Sequence, residues 1–233
     1  MADEKDKKVL ICGDSFASPD ADYPGLHWSE KLLNSTAPTF ELYNMSHGGD
    51  SNALIALQLM QGMEFHPDFV ILSFTAMHRH ELDKNQNACA YDQSLESINS
   101  SRIARYKSTS QSLEIPTAHI EIIDKFNTEV ISKDFEILKN YFIISYCINL
   151  MQTHSIEFCY SLGGFVNHTN PFSVIQSNYI KNNFFETTDK MLKINLWEHK
   201  PWKKRPYFHV DDDAVQTAFA NECIHHLNKA GIT

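Results

Sequence analysis

Apolar residues along this chain follow two rhythms, and their alternation outlines the fold. Val9–Cys12 is an unbroken apolar run between lysines and Gly13, as expected of a central parallel strand buried on both faces. Over 25–35, Leu26, Trp28, Leu32 and Leu33 recur at helical spacing. Residues 40–46 alternate apolar and polar, which predicts a second strand. A helix over 50–63 follows, capped by Asp50 or Ser51, with Leu54, Leu57, Met60 and Gln61 in one series. Pro67 breaks it, and 66–74 reads as a third strand. This β-α-β-α-β order with short connections is the pattern of a doubly wound sheet.

The rhythm fades from about His80 to Lys133, where the chain is polar and rich in Ser and Asn. A structureless stretch of that length is uncommon in a compact domain. The prediction is an insertion at about 81–134 with small helices of its own, lying over the strand ends as a candidate lid. Residues 133–154 then form a long apolar helix, and 156–164 a fourth strand ending in two glycines. Residues 165–205 read as irregular, with one helix around 184–194. An amphipathic helix over 211–231 closes the chain, begun by an aspartate cap and stopped by Gly231. The fold class is α/β: one domain over 1–233, a three-layer α/β/α sandwich around a mainly parallel, flavodoxin-like sheet.

Composition narrows the partners. Of 233 residues 42% are hydrophobic, enough for a substantial core, and the formal charge is −9. An acidic surface repels phosphate backbones and anionic lipid, so no nucleic-acid or membrane-surface partner is expected. The basic stretch "HKPWKKRP" at 199–206 reads as a solvated loop. The mixed charges of "MADEKDKK" do not resemble a signal peptide, and Val9–Cys12 is too short for a membrane span. Cys12, Cys89, Cys147, Cys159 and Cys223 are scattered, without CxxC spacing, as in reduced thiols of a cytoplasmic protein. His78 and His80 alternate in direction with no obvious third ligand, so no metal is expected.

Functional groups of a parallel sheet gather beyond the carboxyl ends of its strands. The segments there are "GDSFAS", "NMSHGGDSN" and "SFTAMHRHE", joined by "YFHVDDDAVQTAFA" before the last helix. In this order they resemble the conserved blocks of the SGNH (GDSL-like) hydrolase superfamily. Gly13-Asp14-Ser15 matches its nucleophile turn. Asn44, Ser46, Gly49 and Ser51 match its second block, "HPDFVIL" the approach to its third, and His209 the histidine before its terminal helix. Two positions depart. Thr75 stands where the family has an asparagine that donates to the oxyanion, and Pro206 stands where it has an aspartate three residues before the histidine.

The resemblance implies a three-layer hydrolase without cofactor, cleaving esters of small or carbohydrate-linked substrates. It makes Ser15 the nucleophile and His209 its base. Oxyanion donors would be the N–H groups of Ser15 and Gly49, with the Thr75 hydroxyl. Asp14, His47 and Arg79 are candidates for substrate contact. A lost oxyanion donor costs about 3–4 kcal/mol of barrier if nothing replaces it. A missing aspartate leaves a Ser-His dyad, its imidazole oriented by another group such as a backbone carbonyl. Asp211, Asp212 and Asp213 read as caps of the terminal helix. Two other functions share these residues: a weakened module that binds ligand without turnover, and an acyltransferase whose insertion excludes water. Trp197 and Trp202 are candidates for a contact surface in a homo-oligomer.

Overall fold

The computed structural model describes residues 7–19, 24–36, 40–76, 80–83, 95–98, 125, 129, 133–163, 188–199, 210 and 212–233. Its elements run β1 (Lys7–Gly13), α1 (Trp28–Thr36), β2 (Phe40–Asn44), α2 (Asn52–Gly62), β3 (Phe69–Ser73), β4 (His80–Asp83), β5 (Leu95–Ile98), α3 (Lys133–Thr153), β6 (Glu157–Ser161) and α4 (Asp213–Lys229). Four strands form one parallel sheet in the order β2-β1-β3-β6. Val9 lies opposite Leu42 on one side and Phe69 on the other, and Leu72 opposite Tyr160.

The inner strands β1 and β3 bury both faces, which is why Val9–Cys12 and Phe69–Leu72 are unbroken apolar runs. Leu10 and Cys12 of β1 face α2 and α3, packing with Leu59, Leu72, Tyr141, Ile144 and Cys147. Val9 and Ile11 face the other way, toward α1 and α4, with Trp28, Leu32, Phe219 and Cys223. The predicted α/β/α sandwich is therefore the observed fold. The chain leaves β1 outward to β2, then crosses back to β3 on the other side of β1. Such a reversal is where parallel sheets gather functional groups, and Ser15 follows β1 at that point.

Ser51 caps α2, its side chain accepting from the Leu54 N–H at 3.2 Å. Asp212 caps α4, accepting from Ala214 and Val215, and Gly231 follows it with φ of 68°. Three details differ from the sequence pattern. The buried side of α2 is Leu54, Ile55, Gln58, Leu59 and Gly62, while Met60 and Gln61 are exposed. Because α2 is apolar on both the sheet side and the α3 side, spacing alone mistook its phase. Within the predicted insertion, β4 and β5 form an antiparallel pair that the sequence pattern did not show, while Lys125 and Glu129 are helical. Around 184–194 there is a short 3-10 turn (Thr188–Lys190), and Met191 bridges to Tyr160, covering the outer edge of β6.

Cys12, Cys147, Cys159 and Cys223 are free and buried. Burial pushes the Cys147 thiol up to about 12, and burial with Cys147 beside it raises Cys12. Such thiols are inert structural groups. Cys89 and Trp202 lie outside the described residues. Among the described residues no helix is long and apolar enough to cross a membrane.

Candidate active site

The turn after β1 is shaped by close approach. A side chain at Gly13 would bring Cβ to 2.6 Å from Ala17 Cβ and 2.9 Å from Ser73 Cβ, so glycine alone lets β1, β3 and the turn meet. The Asp14 carbonyl accepts from the Ala17 and Ser18 N–H groups, curling the chain into one helical turn. The Asp14 side chain closes the turn from within, Oδ1 accepting from the Phe16 N–H at 2.9 Å. Ser15 stands half-buried at the head of this turn.

The second block passes directly beside it. Met45 extends the β2 ladder by donating to the Ile11 carbonyl, and the His47 N–H donates to the Gly13 carbonyl at 3.1 Å. A Cβ on Gly48 would lie 3.9 Å from Ser15 Cβ, so this backbone runs at contact distance from the serine. Gly49 has φ of 99°, a left-handed conformation that favours glycine. Asn44 holds the loop to the nucleophile turn, Nδ2 donating to the Ala17 carbonyl while Oδ1 accepts from the Ser46 N–H. Buried Gln58 joins both blocks. It accepts from the Gly13 N–H at 2.8 Å and donates to the Gly13 carbonyl and to Asp50 Oδ2. Asp50 also meets His47 Nδ1 at 3.2 Å, and the His47 side chain is 63% exposed.

Two sequence expectations are corrected here. Thr75 is not an oxyanion donor in this geometry, because both of its donors are engaged. Its hydroxyl donates to Asp14 Oδ2 at 2.6 Å and its N–H to Asn52 Oδ1 at 2.8 Å. Asp14 is not a substrate contact: it is fully buried, and its oxygens accept from Thr75 and Phe16. The pair forms an internal brace.

A second brace grips the other side of the turn. The Phe16 carbonyl accepts from Trp28 Nε1 at 2.7 Å and lies 3.1 Å from His27 Nε2. With Ser29 Oγ 2.8 Å from Nδ1, His27 suits the neutral tautomer protonated at Nε2. Gln216 accepts from the Trp28 N–H at 3.0 Å and donates to the Val210 carbonyl at 2.9 Å. Val210, the residue after His209, is thereby anchored to the helix that braces the serine turn. His209 itself, Arg79, Asp211 and Pro206 lie outside the described residues. The sequence reading missed His27, Asn52, Gln58 and Gln216. Their only signal was a polar residue inside an apolar series, which spacing treats as noise.

No family model matches the chain, and no characterised protein matches it in sequence. Solved structures do resemble it. A psychrotrophic esterase EstA from Pseudoalteromonas sp. aligns over 96% of this chain and 98% of its own, at 11% identity and a TM-score of 0.51. TesA aligns over 96% and 99%, at 10% identity and a TM-score of 0.51. A member of the lipolytic G-D-S-L family from Veillonella parvula covers 94% and 97%, at 10% identity and a TM-score of 0.48. The chain shares the α/β fold of EstA and TesA.

Proposed function

We propose that the protein hydrolyses carboxylic esters, with Ser15 as nucleophile and His209 as general base. His209 takes the Ser15 proton as Oγ attacks the acyl carbon, and returns it to the departing alcohol. Water, deprotonated by the same imidazole, then attacks the acyl-serine and frees the acid. The oxyanion is held by the Ser15 and Gly49 N–H groups. Thr75 contributes by fixing the turn from below. With Pro206 in place of an aspartate, the imidazole relies on another group for its orientation, so the pair is a dyad. The exposed His47 contacts a small or carbohydrate-linked ester, a role also assigned to Arg79 from its sequence position, and buried free thiols suit a reducing cytoplasmic setting.

The observation that carries this reading is the Gln216 bridge. It fastens Val210, next to His209 in sequence, to Trp28, which bonds the carbonyl next to Ser15. Val210 and Phe16, almost two hundred positions apart, are thus joined to one frame. The likeness of the fold to the esterase EstA supports the same reaction class. A fluorophosphonate probe tests it. Ser15 is expected to label, and Ser15→Ala is expected to lose labelling and p-nitrophenyl acetate hydrolysis by at least about 10³-fold. Hydrolysis persisting in Ser15→Ala would end this reading. A second reading is favoured by the engagement of both Thr75 donors, which leaves the oxyanion one side-chain donor short. It is a ligand-binding module without turnover, and unlabelled wild-type protein would select it.

A further inference from the structure

We propose that Asn52 is a positioning residue for the candidate nucleophile, acting on Ser15 through Thr75 and Asp14. This inference rests on the reading of Ser15 as nucleophile and adds a residue that no family block assigns. Asn52 opens α2 and is 1% exposed. Its carboxamide meets both main-chain groups of one residue: Oδ1 accepts from the Thr75 N–H at 2.8 Å, and Nδ2 donates to the Thr75 carbonyl at 3.1 Å. A donor and an acceptor side by side are what that double contact needs, and a carboxamide supplies both. The second Nδ2 proton goes to Asn140 Oδ1 at 2.7 Å, and Asn140 Nδ2 donates to the Glu136 carbonyl on α3.

With its main chain held, Thr75 has its hydroxyl aimed at Asp14 Oδ2, while Asp14 Oδ1 receives the Phe16 N–H. The path from α3 to the residue after Ser15 is therefore an unbroken series of buried hydrogen bonds. Asp14 and Thr75 are 0% exposed and Asn140 4%. Buried polar groups of this kind gain little stability over well-packed apolar ones, but removing one strands its neighbours and frees their geometry. A nucleophile is sensitive to such freedom, since about 1 Å of misplacement can cost roughly 100-fold in rate.

The test uses the full chain and two measurements: the rate of fluorophosphonate labelling at Ser15, and hydrogen exchange of the Phe16 amide. Asn52→Ala and Thr75→Val are each expected to slow labelling roughly ten- to hundred-fold and to speed Phe16 exchange. Thr75→Ser, which keeps the hydroxyl, restores both. The double variant is expected to label within about twofold of the slower single, because the two act in one series. Wild-type labelling and unchanged Phe16 exchange in Asn52→Ala would overturn the proposal, as would additive losses in the double variant. If Asn52→Ala fails to fold, Thr75→Val and Asn140→Ala decide, the latter giving a smaller loss in the same direction. If wild-type protein does not label, the hydrolase reading fails by itself and Phe16 exchange still decides whether Asn52 holds the turn.

Discussion

The two ends of the parallel sheet treat charge and polarity in opposite ways. At the carboxyl end, Asp14, Asp50, Asn52, Gln58 and Thr75 are buried and joined by hydrogen bonds to the turns that carry Ser15 and Gly49. At the amino end, a cavity of about 380 Å³ is lined by Phe69, Glu157, Asp189, Lys190, His226 and Lys229. Its ion pairs, Lys190 with Glu157 and Lys229 with Asp189, sit largely in solvent. Both ends are rich in polar side chains, but only one has removed them from water. Desolvation makes each missing partner costly at the carboxyl end, whereas water replaces a lost partner at the other. Geometry is thus enforced where the candidate chemistry lies and left loose where it does not.

Three measurements would sharpen or break this contrast. The largest effect is expected from Gln58→Leu, which strands the Gly13 N–H and takes one donor each from the Gly13 carbonyl and Asp50 Oδ2. A loss of about 2–4 kcal/mol is expected from the buried N–H left unpaired and the two further hydrogen bonds removed, read as a lower urea midpoint at unchanged slope. A midpoint matching wild type would remove the distinction between the ends.

A smaller, pH-dependent effect belongs to His226 in the amino-end cavity. Burial, followed by the neighbouring His225, lowers its pKa below the ordinary 6.5. The folded state therefore holds its proton less tightly than the unfolded chain. This contribution is fully present above about pH 6.5 and is lost as acidification passes through the lower folded value. His226→Asn is expected to flatten the decline in urea midpoint on acidification below that point. An identical slope in the variant would show that His226 is not the group responsible.

The smallest effect is expected from Lys229→Ala. The partner, Asp189, lies 3.5 Å away and both side chains are more than half exposed. The change is expected to be below about 0.5 kcal/mol, and further reduced in high salt. A loss comparable to that of Gln58→Leu would mean that the amino end is as tightly specified as the other.

Sequence reading reached the sheet because its inner strands are apolar on both faces, and a continuous run such as Val9–Cys12 admits few other placements. It reached the helix ends because caps are local: Ser51 and Asp212 each act within three residues. It failed where the deciding partner is remote. Asn52 and Thr75 are 23 positions apart, and Trp28 and Gln216 are 188 apart. No periodicity links such pairs, so Thr75 read as a substitute donor when its hydroxyl faces inward. The phase of α2 was obscured for a related reason: a helix packed on two sides has no single apolar stripe. The candidate site was therefore legible in its loops and glycines, but not in the buried side chains that hold them.

The four described thiols have one more consequence. Cys12 lies beside Cys147 in the layer built by α2 and α3, and Cys159 beside Cys223 in the layer built by α1 and α4. Sulfur is thus distributed as one natural reporter pair per layer. Timed alkylation, with each modified peptide assigned by mass, would reveal which half of the sandwich parts from the sheet first.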